Sequence, residues 1–520
     1  MSDAREIYFG EEARSKLKEG ARKVYEAVKS TFGPSASNVV IEKQWGKPIL
    51  TRDGYTVARD VELSDKAENQ GAKMIIEASE KTNDRAGDGT SATAVLAYHI
   101  LEEANRQIAA GHNPMELRRG ILQSIDKVKA FIDDNTLPVD DKKLHEVATV
   151  SCGDPHIGRL IADTIIQVGE NGKVHIEEHN DLHTEREMVE GFYYDQGYTD
   201  RFMITDYIRE KCELHDVYIL ATQKQISTNA HIVPFLEKFL KNGGRNLMII
   251  GSVSGEALQT LALNKAQGRF NILATPIPMF GDQEMLFLED VMAMTGGRAI
   301  ANADTLDTVE FEDLGYADKV VANHATTTIL GGAGDQEEID KRIKQIKDRR
   351  KEETNTLYQE RLELRLSKLS GKIAVIRVGA PSDVAREEIK FRVEDAVNAT
   401  INARRHGIIA GGGSTLLRAS TLELDPVMKK ALVEPFRQLM INAGERSDYY
   451  IERVLTAGDH TGYNLRSMTK DPVNLVKAGI IDPALTIKEV VENAGTVASN
   501  MLTAGALMVF EEQDEPSTVS

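Results

Sequence analysis

The chain has 520 residues, too many for one ordinary core, and its 41% hydrophobic content is enough for several well-packed domains. Its 81 acidic against 63 basic residues give a formal net charge of -18, which argues against nucleic acid or an anionic membrane as the main partner. Two cysteines, Cys152 and Cys212, are too few for a disulfide framework, and a single Trp45 with 6% aromatic residues leaves little material for base stacking. No run of about eighteen or more apolar residues occurs, so no membrane span is expected. The opening Met1-Ser2-Asp3-Ala4-Arg5 has neither signal-peptide nor transit-peptide character, which makes the cytoplasm the expected compartment.

From 11 to 31 the apolar spacing is helical, and Thr31-Phe32-Gly33-Pro34 ends that helix. Val39-Val40-Ile41 and Pro48-Ile49-Leu50-Thr51 read as short strands, with Arg52-Asp53-Gly54 turning into Tyr55-Thr56-Val57 and Asp53 at the turn tip. Asn69 to Ala109 reads as helix, glycine-rich break and helix, the break being Ala86-Gly87-Asp88-Gly89-Thr90-Ser91. Another helix follows Ala110-Gly111-His112-Asn113-Pro114 and runs to about Asp133. Beyond Leu137-Pro138 the elements shorten, with strands near 172–176 and 187–191. Between 215 and 303, strands at Val217–Leu220, Leu247–Ile250 and Asn271–Ala274 alternate with helices over 229–241 and 255–267, the pattern of a small α/β domain. Asp335 to Leu369 is charge-laced and helical without a sustained heptad, hence a helical hairpin or bent helix rather than a coiled coil. After a strand at Ile373–Val378 the helical texture returns, broken by Ala410-Gly411-Gly412-Gly413-Ser414, and the acidic tail from Glu511 is expected to be disordered. Two helical ends therefore flank a central α/β insertion.

The chemistry concentrates in three glycine-rich loops, at Gly33-Pro34, Gly87 to Gly89 and Gly411 to Gly413. Glycines let a phosphate approach the backbone, a helix N-terminus offers free N–H groups, and Asp88 adds a hard oxygen ligand for magnesium. Taken alone, Ala86 to Ser91 reads more readily as an ordinary turn and N-cap than as a phosphate cradle. No Gly-x4-Gly-Lys-Ser/Thr occurs, and Gly87-x-Gly89-x-x-Ala92 follows a helix where a dinucleotide fingerprint needs a strand. His175, His179 and His183 recur every fourth residue, but their surroundings alternate like a strand and break at Asn180-Asp181, so a solvated turn is favoured over a metal site. Cys152 reads as a small buried residue at a turn. The two helices over 229–241 and 255–267 carry more apolar residues than one sheet-facing stripe needs, which leaves a peptide groove or an interdomain packing face.

In order along the chain, Thr31-Phe32-Gly33-Pro34, Thr51-Arg52-Asp53-Gly54, Ala86-Gly87-Asp88-Gly89-Thr90, Ala110-Gly111-His112-Asn113-Pro114-Met115, Arg392-Val393-Glu394-Asp395-Ala396, Ala410-Gly411-Gly412-Gly413 and Gly479-Ile480-Ile481-Asp482-Pro483 resemble the group I chaperonins, the class of bacterial GroEL and its mitochondrial counterparts. The resemblance runs from about Ala4 to Val509. It implies a multidomain α and α/β subunit of an ATP-driven folding machine. A mostly helical equatorial domain (1–134 and 406–520), a small intermediate hinge domain (135–190 and 374–405) and an inserted α/β apical domain (191–373) are expected. The implied partners are non-native client proteins, a co-chaperonin lid and further copies in a homo-oligomeric, usually heptameric, ring, with no nucleic acid or membrane.

Carried over by the same resemblance, Thr31, Phe32, Gly33 and Pro34 line the phosphates of ATP, while Asp88, Gly89, Thr90 and Ser91 hold phosphate and Mg2+. Gly412 and Asp482 contact the ribose, Asn464 and Ile480 the adenine side, and K+ lies near Thr31, Arg52 and Ser91. Asp395 and Asp53 are the expected catalytic pair. Tyr198, Phe202, Met203, Val233, Leu236, Leu258, Ala262 and Leu263 fall on the apolar substrate-binding positions. The chain departs from the group I pattern at Ser35-Ala36-Ser37, at Ala92 where a third hydroxyl is usual, at Gly371-Lys372 in place of a Gly-Gly hinge, and at Gln283-Glu284-Met285 after Phe280-Gly281-Asp282. The Gly-Gly-Met tail is also absent. A holdase or scaffold that keeps the fold but not the ATPase cycle is the rival reading, and a metabolic kinase a more distant one.

Overall fold

The structure, a computed structural model, describes residues 5–42, 48–169, 174–179, 181–207, 209–353, 355–370, 372–468 and 471–510. Gly371 of the hinge dipeptide and the acidic tail from 511 lie outside them. The chain forms two compact units: Met1–Glu170, Ile176–Glu185 and Ile376–Ser520 make the first, Asn171–His175 and Arg186–Val375 the second.

The first unit opens with β1 (Arg5–Phe9) and α1 (Gly10–Val28), then β2 (Val39–Ile41) pairs antiparallel with β3 (Ile49–Thr51). The turn and further strand expected after Thr51 are replaced by a short helix, α2 (Gly54–Arg59). Asp53 is its N-cap: its carboxylate accepts the N–H groups of Tyr55 (3.2 Å) and Thr56 (2.8 Å), which outweighs the extended preference of Tyr-Thr-Val. Helices α3 (Lys66–Ala86), α4 (Thr90–Ala109) and α5 (Pro114–Asp134) follow, then α6 (Asp141–Cys152), α7 (Pro155–Val168) and β4 (Val174–Glu178). Cys152 is the buried last residue of α6, before the left-handed Gly153.

The second unit contains β5 (Glu185–Tyr194), β6 (Cys212–Ala221), α8 (Asn229–Lys241), β7 (Asn246–Ile250), α9 (Gly255–Ala266), β8 (Asn271–Thr275), α10 (Asp282–Thr295), β9 (Gly315–Ala322) and β10 (Thr327–Gly332). These strands lie in the order β5-β10-β9-β6-β7-β8, antiparallel as far as β6 and parallel over β6-β7-β8, where α8 and α9 make the crossovers. The charged segment is a hairpin of α11 (Gln336–Glu352) and α12 (Thr356–Ser370), before β11 (Lys372–Val378). Asp290 on α10, itself buried, accepts from Arg342 of α11 (2.8 Å) and Arg365 of α12 (2.7 and 2.8 Å), so each charge of this buried node is paired.

The chain re-enters the first unit through α13 (Asp383–His406), β12 (Ile408–Ala410), α14 (Ser414–Ala419), α15 (Pro426–Ala431), α16 (Glu434–Asn442), α17 (Ser447–Thr456), β13 (Thr461–Gly462), β14 (Val473–Asn474), β15 (Ile481–Pro483), α18 (Ala484–Leu502) and β16 (Ala506–Phe510). The last strand pairs with the first, Ile7 opposite Met508. Leu96, Ile100, Ile121, Val490 and Ala494, all without exposed surface, knit α4, α5 and α18 into the core of this unit. Burial of the leucine, isoleucine and valine side chains stabilises by about 1.5–3 kcal/mol each before the entropy of ordering them is subtracted.

Candidate functional site

Three loops of the first unit face one cavity of about 910 Å3. The first follows α1: Thr31 donates its hydroxyl to Val28 O (2.8 Å), its Oγ1 lies 3.0 Å from Ser91 Oγ, and Asn442 of α16 donates to Lys29 O and Phe32 O (both 2.8 Å), fixing the turn. The second joins α3 to α4. Gly87 and Gly89 have φ of 61° and 91°, and a Cβ on Gly89 would lie 2.8 Å from the Thr486 methyl, so both conformation and space call for glycine. Between them Asp88 turns back, its carboxylate accepting from Gly89 N at 2.6 Å. The third follows β12, whose antiparallel pairing with β15 sets Ile409 opposite Asp482 and so brings Asp482 beside Gly411 and Gly412.

Helix α13 supplies the fourth wall. Asn402 donates to Ala86 O (2.7 Å), and the Asn398 side chain packs where a Cβ of Gly87 would project. One turn earlier, Asp395 faces the same carboxylates. All residues expected at the nucleotide site and in the catalytic pair line this one cavity: Thr31, Phe32, Gly33, Pro34, Arg52, Asp53, Asp88, Gly89, Thr90, Ser91, Asp395, Gly412, Asn464, Ile480 and Asp482.

The charge pattern is one-sided. Burial pushes the Asp88 carboxyl up to about 6, the Asp53 charge adds to this, and the Gly89 N–H bond opposes it. Burial and then Asp88 push Asp482 up to about 7 against the bond from Gly412 N. Asp395 is raised well above the carboxylate range by burial, then by Asp53, Asp88 and Glu394. Buried carboxyls crowded by like charge fit a site that receives cations. Among the described residues no group of three or more His, Cys, Asp or Glu is placed as a metal cage. The Thr31–Ser91 hydroxyl pair suits a monovalent cation.

Several lining residues escaped the sequence reading. Lys142, His145, Glu146 and Thr149 form one face of α6 at positions i, i+3, i+4 and i+7, while Glu388 and Arg392 share one face of α13 with the expected Asp395, at i, i+4 and i+7. That helical spacing is readable in the sequence. Ala92 is almost fully buried against the core of this unit.

A sequence profile of the TCP-1/cpn60 chaperonin family matches residues 24–511. The chain belongs to that family. The structure of this chaperonin is similar to that of the chaperonin gp146 from the bacteriophage EL 2 (Pseudomonas aeruginosa), determined in the presence of ATP-BeFx. In crystal form II the TM-score is 0.66 at 19% identity, covering 98% of this chain and 100% of that one. In crystal form I the TM-score is 0.60 at 20% identity, covering 97% and 99%. At this identity the likeness is one of fold.

In the second unit of the chaperonin, Tyr198, Phe202, Val233, Leu258 and Ala262 are half-buried, and Leu263 is 58% exposed. Two expected surface positions are corrected. Met203 is fully buried, its sulfur accepting from Ala274 N at 3.2 Å, and Leu236 packs in the same core as Phe235 and Phe239. The inward stripe of α8 takes Ile232, Phe235, Leu236 and Phe239, because burial of the larger side chains decides which face turns to the sheet. His175 lies in β4 and His179 just after it, while Asn180 of the expected break lies outside the described residues; among the described residues no helix is long and apolar enough to cross a membrane.

Proposed function

We propose that this chaperonin is an ATP-hydrolysing molecular chaperone of the group I type. The reading rests above all on the convergence of three glycine loops and the carboxylates Asp53, Asp88, Asp395 and Asp482 on one cavity. The loops offer backbone N–H groups to a triphosphate, and Asn464, Ile480 and Asp482 take the nucleoside. Magnesium held by Asp88 and potassium near Thr31, Arg52 and Ser91 supply positive charge against the phosphoryl oxygens. Asp395, with a carboxyl whose proton affinity is raised by its neighbours, orients the attacking water and accepts its proton, and Asp53 assists from the far wall.

The half-buried and exposed apolar residues around Leu258, Ala262 and Leu263 serve as the capture surface for non-native chains and for the mobile segment of a co-chaperonin lid. Self-assembly into a ring, heptameric by resemblance, is supported by the apolar residues left exposed on the two small sheets: Ile7, Phe9, Met508 and Phe510 on β1 and β16, Val40 and Leu50 on β2 and β3. The equatorial, intermediate and apical boundaries at 134/135, 190/191, 373/374 and 405/406, and a cytoplasmic location, belong to the same proposal. Ala92, which places a methyl where a third hydroxyl is usual, favours as a second reading a scaffold with a weakened cycle.

A phosphate-release assay with Mg2+ and K+ separates the two. Turnover is expected in the wild type, and Asp395→Ala should keep ATP binding while lowering kcat by about 100- to 10,000-fold, the usual worth of a general base. A wild type that binds ATP without turnover would instead establish the scaffold reading.

A further inference from the structure

Where α13 passes the loop after β3, two buried atoms that lack a hydrogen-bond partner confront each other. Arg52 Nε and Glu388 Oε1 stand 3.7 Å apart, and neither is reachable by solvent. At that distance the pair attracts but is not hydrogen-bonded, so both atoms bear the cost of burial without the bond that offsets it. The far side of Glu388 is bonded, although Arg392 Nε is also buried without a hydrogen-bond partner. Glu388 Oε2 accepts from Arg392 Nη2 at 2.9 Å, and Arg392 Nη1 donates to Cys152 O at 3.0 Å, at the C-terminal end of α6. Glu388 is thus held from behind with its second oxygen aimed at Arg52.

The two partners sit next to the proposed chemistry. Arg52 precedes Asp53, whose carboxylate is fixed as the cap of α2, and Glu388 lies two turns before Asp395 on the same face of α13. A charge-assisted bond of about 2.8 Å needs an approach of roughly 0.9 Å between helix and loop. The same movement carries Asp395 toward Asp53 and Asp88. We propose that Glu388 is a positioning residue for hydrolysis: closure of α13 on a nucleotide-filled cavity completes the Arg52–Glu388 bond, and that bond holds Asp395 at its working distance. The inference rests on the ATPase reading above.

Phosphate release by the full-length assembled protein tests it with Glu388→Gln, Arg52→Gln, the double variant and Glu388→Asp. Each Gln variant should lower kcat about tenfold or more, and for Glu388→Gln the KM for ATP should change by less than about threefold, because the bond forms after the nucleotide is in place. The double variant should be no slower than the slower single, and Glu388→Asp should recover part of the loss. A merely structural ion pair would lower the melting temperature and leave kcat at saturating ATP unchanged, and that result overturns the proposal, as do single effects that multiply. If the variants fail to fold, a structure of the wild type with ATP-BeFx decides: an Nε–Oε1 separation near 2.8 Å supports the latch, and one still at 3.7 Å refutes it. A wild type that neither binds nor hydrolyses ATP removes the underlying reading instead.

Discussion

The nucleotide cavity of the first unit and the apolar helices of the second hold their functional groups by opposite means. In the cavity, acidic side chains are gathered from residues as far apart as Asp53 and Asp482, and Asp88, Asp395 and Asp482 are raised in proton affinity by burial first and by neighbouring carboxylates second. In α8 and α9, neighbours along one short helix divide between core and surface, so that Leu261 is buried while Leu263 is 58% exposed. Both regions keep groups where water or burial disfavours them. Stability and function therefore separate residue by residue, and substitutions can test whether the division has been drawn correctly.

The largest effect on stability is expected at Leu236. Its side chain fills the core beneath α8 together with Ile232, Phe235 and Phe239. Leu236→Ala should destabilise the second unit by about 2–5 kcal/mol, the cost of lost burial and a residual cavity. Denaturant unfolding monitored in the full chain measures it. If Leu236→Ala unfolds like the wild type yet loses client capture, then Leu236 belongs to the surface after all and the inward assignment fails.

The cavity should behave in the opposite sense. The Asp88 carboxyl sits at about 6 in the folded chain against an ordinary value near 3.8. Its contribution to stability is complete below pH 4 and is lost as the pH rises through 6, and Asp482 extends the loss through about 7. Without magnesium or nucleotide, the first unit should melt at a lower temperature at pH 8 than at pH 5. Asp88→Asn should raise its stability at pH 8 by on the order of 3 kcal/mol, from a shift of about two pKa units. Added Mg2+ and nucleotide should stabilise the wild type strongly at pH 8 and the variant little. An Asp88→Asn variant that is less stable than the wild type in metal-free buffer at pH 8 would show that the carboxylate is satisfied by its own surroundings.

How far each region is legible in the sequence follows from the range of the forces that shape it. The glycine loops are visible because left-handed positions such as Gly87 and Gly89 leave a local mark. The layout of two helical flanks around an α/β insertion is visible because periodicity is local as well. The meeting of Asp88, Asp395 and Asp482 is not, since it depends on α13 docking through Asn402 and on the register of β12 against β15. Only the family resemblance brings them together in advance. The strand expected at Tyr55-Thr56-Val57 fails because one capping carboxylate, Asp53, reverses the preference of three residues. On α8 the apolar residues cover too much of the circumference for spacing to say which of Val233 and Leu236 turns inward; only the packing against the sheet settles it.

The smallest effect on stability belongs to Leu263, where the comparison is sharpest. Its exposed side chain contributes little to the core, so Leu263→Ser should change unfolding by less than about 0.5 kcal/mol, the usual range for a surface position. The same substitution removes apolar area from the proposed capture face, each buried methylene there being worth about 0.8 kcal/mol to a bound apolar segment. Retention of a denatured test protein by the assembled chaperonin should then fall several-fold, with ATP turnover in the absence of client unchanged. Equal retention by wild type and variant would move the capture surface away from the exposed side of α9 and leave Leu263 as an ordinary solvent-facing leucine.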